Sequence, residues 1–207
     1  MIRVQNAGDC CTITLARPDK ANALTEAMLE SLASAASDAA RCASVLILTG
    51  EGKVFSAGAD LDEMKAGLGL SPAWEAASTA VSAFPGLSIA ALNGTLAGGA
   101  MGLALACDLR IAVPSASFFY PVMRLGYRPQ PSDPARLAAL IGPSRAKMIL
   151  LAGQRIDAED ALSWGLIDRI VAAEAVLDTA MSLAEHALAA DPGHVAALKR
   201  MTNGELP

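Results

Sequence analysis

Histidine, aromatic side chains, excess positive charge and long apolar runs are all scarce in this chain, and each scarcity removes a class of function. Only two histidines occur, His186 and His194, so neither histidine-based catalysis nor a multi-histidine metal centre is expected. Lysine and arginine number 16 against 21 acidic residues, a net charge of −5, and no basic cluster offsets it. A nucleic-acid surface is therefore not expected. Alanine-rich segments are broken by Asp, Glu or Arg before they reach membrane-spanning length. The opening MIRVQNAGDC lacks the basic-then-apolar order of a secretory signal. Cys10, Cys11, Cys42 and Cys107 show neither metal-ligand spacing nor a disulfide framework, and read as reduced cytosolic thiols in or near the core. Aromatics make up only 4% of the residues while hydrophobic residues make up 53%. The core must then be built from Ala, Leu, Ile, Val and Met, small enough for closely packed layers.

What is present organises around LSIAALNGTLAGGAMGLALACD, residues 87–108. A strand over 88–92 meets the turn pair Asn93-Gly94. After a small-residue passage, Gly98-Gly99 opens an entirely apolar run, 100–107, whose Ala, Met and Leu content favours a buried helix. Glycines ahead of a helix leave backbone N–H groups free at its positive end, where an oxygen bearing or developing negative charge can be held. The same glycines equally suit tight helix packing. A second passage of this kind, Ser56-Ala57-Gly58-Ala59-Asp60, follows the apolar Val54-Phe55. If the two loops converge, two amides can grip one carbonyl oxygen and stabilise it as an oxyanion.

Around these loops the pattern predicts further strands at 11–15, 45–48, 109–113 and 117–119. Helices are predicted from Thr25, an N-cap, to about 41, and over 62–65 and 73–83. Past Tyr120 the chain turns helical: an irregular segment to 131, a helix capped by Ser132 or Asp133 and running to 141, and a next one from Pro143 to 152. Asp157 caps a helix closed by Gly165, an extended piece covers 167–171, and two last helices cover about 174–190 and 192–201. Strand–helix alternation in the first half predicts an α/β fold with parallel crossovers. No repeat, linker or low-complexity tract appears, so 207 residues read as one domain.

ITLARPDKANAL from Ile13, GKVFSAGADLDEM from Gly52, ALNGTLAGGAMGLALACDLRIA from Ala91 and RLAALIGPSRAKMILLAGQRIDAEDALSWGLIDRIV from Arg136 together resemble the enoyl-CoA hydratase/isomerase (crotonase) superfamily. The resemblance covers nearly the whole chain. It implies a ClpP/crotonase-like spiral of β-β-α repeats over about 1–130 and a helical C-terminal region over about 131–207, here truncated at the C-terminus. It also implies a cytoplasmic trimer or pair of trimers in fatty acid metabolism, acting as a lyase or isomerase on an acyl-CoA thioester. Coenzyme A would enter as part of the substrate; no permanently bound cofactor and no metal is implied. The amides of Ala59 and Gly99 would form the oxyanion hole. Lys20, Ala21 and Ala23, with Ala57, Gly58, Asp60, Leu61 and Asp62, would line the coenzyme A moiety. Lys20 suits a phosphate contact as a point charge, and equally suits an ordinary solvated turn.

The departures from the family pattern bear on mechanism. The two positions at which hydratases of this family carry glutamates are Gly102 and Val122, and neither moves a proton. A third position, acidic in other members, is Gln130, a hydrogen-bonding group and not a base. Two-glutamate hydration is thus not expected, while Gln130 stands as a polar substrate contact. Tyr120, Tyr127, Arg128 and Asp133 share the irregular segment, with Arg128 and Asp133 readable as an ion pair, and Glu75 lies near the acyl pocket in the family layout. Two readings stay open: an enzyme working through a stabilised enolate, and a non-catalytic acyl-CoA-binding protein.

Overall fold

A computed structural model describes residues 1–205. β1 (Ile2–Ala7) and β2 (Cys10–Leu15) form an antiparallel hairpin, followed by α1 (Glu26–Ala39), β3 (Val45–Gly50) and β4 (Val54–Ser56). Next come α2 (Leu61–Lys65), α3 (Ala73–Ser82), β5 (Leu87–Leu92) and β6 (Thr95–Ala97). A 3₁₀ turn, Gly98–Ala100, leads into α4 (Met101–Leu105), then β7 (Leu109–Ala112), β8 (Ser117–Phe119) and α5 (Val122–Leu125). α6 (Asp133–Leu150), β9 (Ile156–Asp157), α7 (Ala158–Trp164), β10 (Arg169–Ile170), α8 (Val176–Ala189) and α9 (Pro192–Thr202) complete it.

Two sheets result, ordered β1-β2-β3-β5-β7-β10 and β4-β6-β8-β9. Each repeat sends its first strand (β3, β5, β7) to the larger sheet and its second (β4, β6, β8) to the smaller one. The central strands of the larger sheet run parallel, and β3 (VLILTG) is buried along all but its last residue, the continuous apolar reading of a strand covered on both faces. In the smaller sheet β4 pairs parallel to β6, matching Val54 with Thr95 and Ser56 with Leu96. That pairing places the loops leaving β4 and β6 side by side, and so positions the site.

Capping follows the sequence closely. The Thr25 and Asp157 side chains accept from the amides of Met28 and Asp160, and Gly165 closes α7 at φ +82. The break expected at Pro143 falls at Gly142, whose φ of +79 interrupts α6. Neither Ser132 nor Asp133 caps α6 with its side chain, which corrects the expectation. β1, β6 and α5 are elements the sequence did not announce: β1 is a mostly exposed edge strand without alternation, and the others span only one turn or a few residues. At the far end, Lys199 docks α9 by donating to the carbonyls of Phe84 (2.8 Å) and Gly86 (3.0 Å) and to Asp108 (2.8 Å). No helix among the described residues is long and apolar enough to cross a membrane.

Candidate active site

The loop after β4 is fixed from below by main-chain bonds. Leu24 N–H donates to the Gly58 carbonyl (2.7 Å), and Asp60 N–H donates to the Leu24 carbonyl (2.8 Å). Leu24 therefore inserts opposite Ala59 in a single parallel bridge. In that pattern the bridged partner's own N–H faces the other way. Ser56, fully buried, donates from Oγ to the Asn22 carbonyl (2.8 Å) and accepts from Gly58 N–H (3.1 Å).

The loops after β4 and β6 touch through glycine. Gly58 (φ +93) and Gly98 (φ +56) both occupy the left-handed region, and a β-carbon on Gly58 would stand 2.9 Å from the Ala97 carbonyl oxygen and 3.4 Å from the Gly98 α-carbon. A side chain on Gly58 would strike the main chain, whereas a β-carbon on Gly98 would lie at ordinary contact, 3.6 Å from the Gly58 α-carbon, and only the left-handed φ favours glycine there. Ala59 and Gly99 follow these glycines directly. Among the described residues, no turn, loop or cap hydrogen bond uses either N–H; at the first turn of a helix such a donor has no intrahelical partner.

Residues 20–23 lie against the first loop. Ala21 (φ +50) and Asn22 (φ +53) are both left-handed, a conformation tolerable for asparagine and held here by its bonds. The buried Asn22 amide donates to the Glu51 (2.9 Å) and Val54 (2.7 Å) carbonyls, and its oxygen accepts from Arg17 N–H (2.8 Å). Ala57 N–H donates to the Ala21 carbonyl (2.9 Å). Arg17 bridges the Ala23 carbonyl (3.1 Å) and Asp60 (2.7 Å), and its guanidinium holds the Asp60 carboxyl below the usual carboxylate range. Asp60 also caps α2 through the amides of Asp62 and Glu63. Of the residues assigned to coenzyme A, Asp60 is thus committed to scaffolding and Asp62 pairs with Lys65 on the surface (3.1 Å). Lys20 is exposed, as is Leu61, the latter at 75%.

Two further residues, not singled out from the sequence for these positions, line the 3₁₀–α4 segment. Trp74, buried and anchored by Nε1–H to the Leu68 carbonyl (3.0 Å), lays its six-membered ring on Gly99: a β-carbon there would fall 2.9 Å from Cζ3. Asp133 lays its carboxylate on Gly102, where a β-carbon would collide with Oδ1 and stand 3.0 Å from Cγ. Asp133 is 1% exposed; its Oδ2 accepts from the Tyr120 hydroxyl (2.9 Å), and its Oδ1 has no partner. The Arg128–Asp133 pair does not form: Arg128 is exposed and Asp133 bonds Tyr120 instead. Burial raises Asp133 to about 6, against the opposing effects of the Tyr120 hydrogen bond and the nearby Arg136. Burial, with the Asp133 charge beside it, also raises the Tyr120 phenol. Glu75 accepts from the Ser132 hydroxyl, tying α3 to the start of α6. Val122 is buried, and Gln130 contributes its carbonyl to Asp133 N–H (3.1 Å), with no side-chain hydrogen bond among the described residues.

Nothing local in the sequence marks Trp74 or Asp133; each is distant along the chain from the glycine it covers. A cavity of about 840 Å³ lies elsewhere, under α8 and α9, lined by Leu105, Arg110, Leu140, His186 and Leu198 among others, and none of the residues of the two loops faces it.

Residues 5–206 match the family model described as Enoyl-CoA hydratase/isomerase. Carnitinyl-CoA dehydratase of Salmonella arizonae is 37% identical over 210 residues, covering 97% of this chain and 79% of that protein. The same-named protein of Citrobacter koseri is 37% identical over 170 residues, covering 79% of this chain; the match spans 65% of the C. koseri protein, less than two thirds of its length. Among solved structures, an enoyl-CoA hydratase from Bacillus anthracis superposes with a TM-score of 0.90 at 35% identity, covering 98% of this chain and 83% of the other.

Proposed function

The chain belongs to the enoyl-CoA hydratase/isomerase family and has its crotonase fold, and from that premise we propose that it binds an acyl-CoA thioester and stabilises its enolate between the amides of Ala59 and Gly99. The observation that carries this reading is the contact of the two loops through Gly58 and Gly98, with the next amide of each left unused. Two fixed N–H donors beside a thioester carbonyl favour the charge that develops when the α-carbon loses a proton or a carboxyl group. Isomerase- or lyase-type chemistry follows. Two-glutamate hydration does not, because Gly102 and Val122 carry no carboxyl group.

In this reading Lys20, Ala21, Ala23, Ala57, Gly58 and Leu61 line the coenzyme A path, coenzyme A is part of the substrate, and Gln130 offers its amide to the acyl group. Subunits associate as trimers or pairs of trimers, for which the exposed Met123, Leu125 and Tyr127 supply apolar surface. The absence of side-chain acids at positions 102 and 122 favours a second reading, a binding protein without turnover.

Titration calorimetry with butyryl-CoA and with free coenzyme A tests the first step. Saturable binding, tighter for the thioester, is the expected result; no binding of either overturns both readings. Light scattering at micromolar concentration tests assembly, and a monomer would remove the trimer from the account.

A further inference from the structure

Gly99 and Gly102 are one helical turn apart, so the positions above them are neighbours on one face, about 5 Å from each other. The ring of Trp74 occupies the first position and the carboxylate of Asp133 the second. Asp133 is almost wholly buried, its Oδ2 is held by Tyr120, and its Oδ1 accepts nothing. A buried carboxylate oxygen without a partner is costly, and such groups persist where they have a task or a ligand. The missing side chain at Gly102 is what admits it.

We propose that Asp133 is a catalytic residue of this site, the base that removes a proton from the α-carbon of the bound thioester and the acid that returns it. The proposal rests on the acyl-CoA reading above. In the forward step the C2–H bond breaks and the proton passes to Asp133 Oδ1. The electron pair moves into the C1–C2 bond, and the carbonyl oxygen takes the negative charge facing Ala59 and Gly99. Return of the proton to C2 restores the starting thioester. With a 3-enoyl-CoA, its delivery to C4 gives the conjugated 2-enoyl isomer. Either way the Asp133 carboxylate is regenerated and no co-reactant is consumed. The charged and titratable groups around Asp133 are Tyr120 ahead of α5, Glu75 on α3 and Arg136 on α6. Its rise to about 6 leaves the base form populated at neutral pH while keeping the acid form accessible.

The test uses the whole chain with 3-hexenoyl-CoA in D₂O, followed by proton NMR for loss of the C2 signal and appearance of the conjugated product. The parent protein is expected to exchange or isomerise, and Asp133→Asn to lose at least about 10²-fold in rate with butyryl-CoA binding kept within a few-fold. Tyr120→Phe removes the hydrogen bond that lowers Asp133, so its pH–rate midpoint is expected to move upward with the maximal rate retained within about tenfold. This second variant carries the test should Asp133→Asn fail to fold. Asp133→Asn exchanging at the parental rate, or an unmoved midpoint in Tyr120→Phe, overturns the proposal. Parent protein that binds butyryl-CoA but neither exchanges nor isomerises overturns it too, and leaves the binding reading standing. Loss of binding in the parent removes both.

Discussion

The ring of Trp74 rests on the α-carbon of Gly99, the residue whose N–H is one of the two proposed donors, so the donor cannot be probed without disturbing the ring. Gly99→Ala places a methyl group 2.9 Å from Cζ3. Overpacking of this kind typically costs about 1–3 kcal/mol. A lowered urea midpoint with a shifted tryptophan emission is the expected result; unchanged emission would mean the ring does not lie there.

Proline at the same position adds that β-carbon and also removes the N–H. The difference between Gly99→Pro and Gly99→Ala therefore reports the lost donor together with the ring's own contacts and the restriction it places on Gly98. Turnover or exchange in the proline variant should fall a further ~10²-fold or more below the alanine variant, as for other oxyanion-hole donors. Equal rates in the two variants would take Gly99 out of the hole.

Crotonyl-CoA should be hydrated negligibly by the parent protein. General acid–base groups contribute about 10²–10⁴-fold each, and positions 102 and 122 supply none. Gly102→Glu should not restore hydration, because Asp133 already fills the space a side chain there would enter. An absorbance assay on crotonyl-CoA decides, and fast hydration by the parent would show that another acid/base pair is at work.

Asp133 also predicts a pH dependence of stability. Its carboxyl is raised from 3.8 to about 6 on folding, so the native state binds this proton more tightly than the unfolded chain. The contribution is fully favourable below about 3.8, and declines as pH rises through about 6, amounting to roughly 3 kcal/mol at most. Replacing it with Asn should remove this decline. The difference between parent and Asp133→Asn in urea midpoint should grow in favour of the variant from pH 4 to pH 7, and a flat difference would contradict the environment described for Asp133.

Thiol chemistry offers a test independent of any ligand. Cys10, Cys11 and Cys107 are buried as expected, whereas Cys42, just past the end of α1, is exposed, which corrects its placement in the core. Desolvation pushes Cys107 up to about 12, so its thiolate is essentially absent at neutral pH. A disulfide reagent should label one of the four cysteines promptly in the native protein and the rest only on unfolding. Prompt labelling of Cys107, which follows α4 and lines the cavity under α8 and α9, would show that the cavity admits the reagent.

Much of the fold was legible because its signals are local. VLIL in β3 reads as a strand buried on both faces, and Thr25, Asp157 and Gly165 end helices by bonds made within one turn. β1 was illegible because an exposed edge strand has no apolar rhythm. That the loops after β4 and β6 meet was legible from their glycine passages, since close approach of main chain to main chain needs a residue without a β-carbon at Gly58. The side chains that meet them were not. Trp74 and Asp133 arrive over Gly99 and Gly102 only through the packing of α3 and α6 on α4, and Arg128, the ion-pair partner the sequence suggested for Asp133, is exposed.

The pairing of β4 with β6 has a consequence for how such a protein can change. The proposed clamp is made of amides supplied by the peptide unit, so nearly any residue at position 59 would provide the same donor. What must stay is Gly58, where a β-carbon would strike the Ala97 carbonyl and part the loops. Side chains around the clamp are then free to be exchanged one at a time. On the proposed reading, a carboxylate could vanish from one helix and reappear from another while the hold on the thioester persisted, so that chemistry would drift around a fixed electrophile.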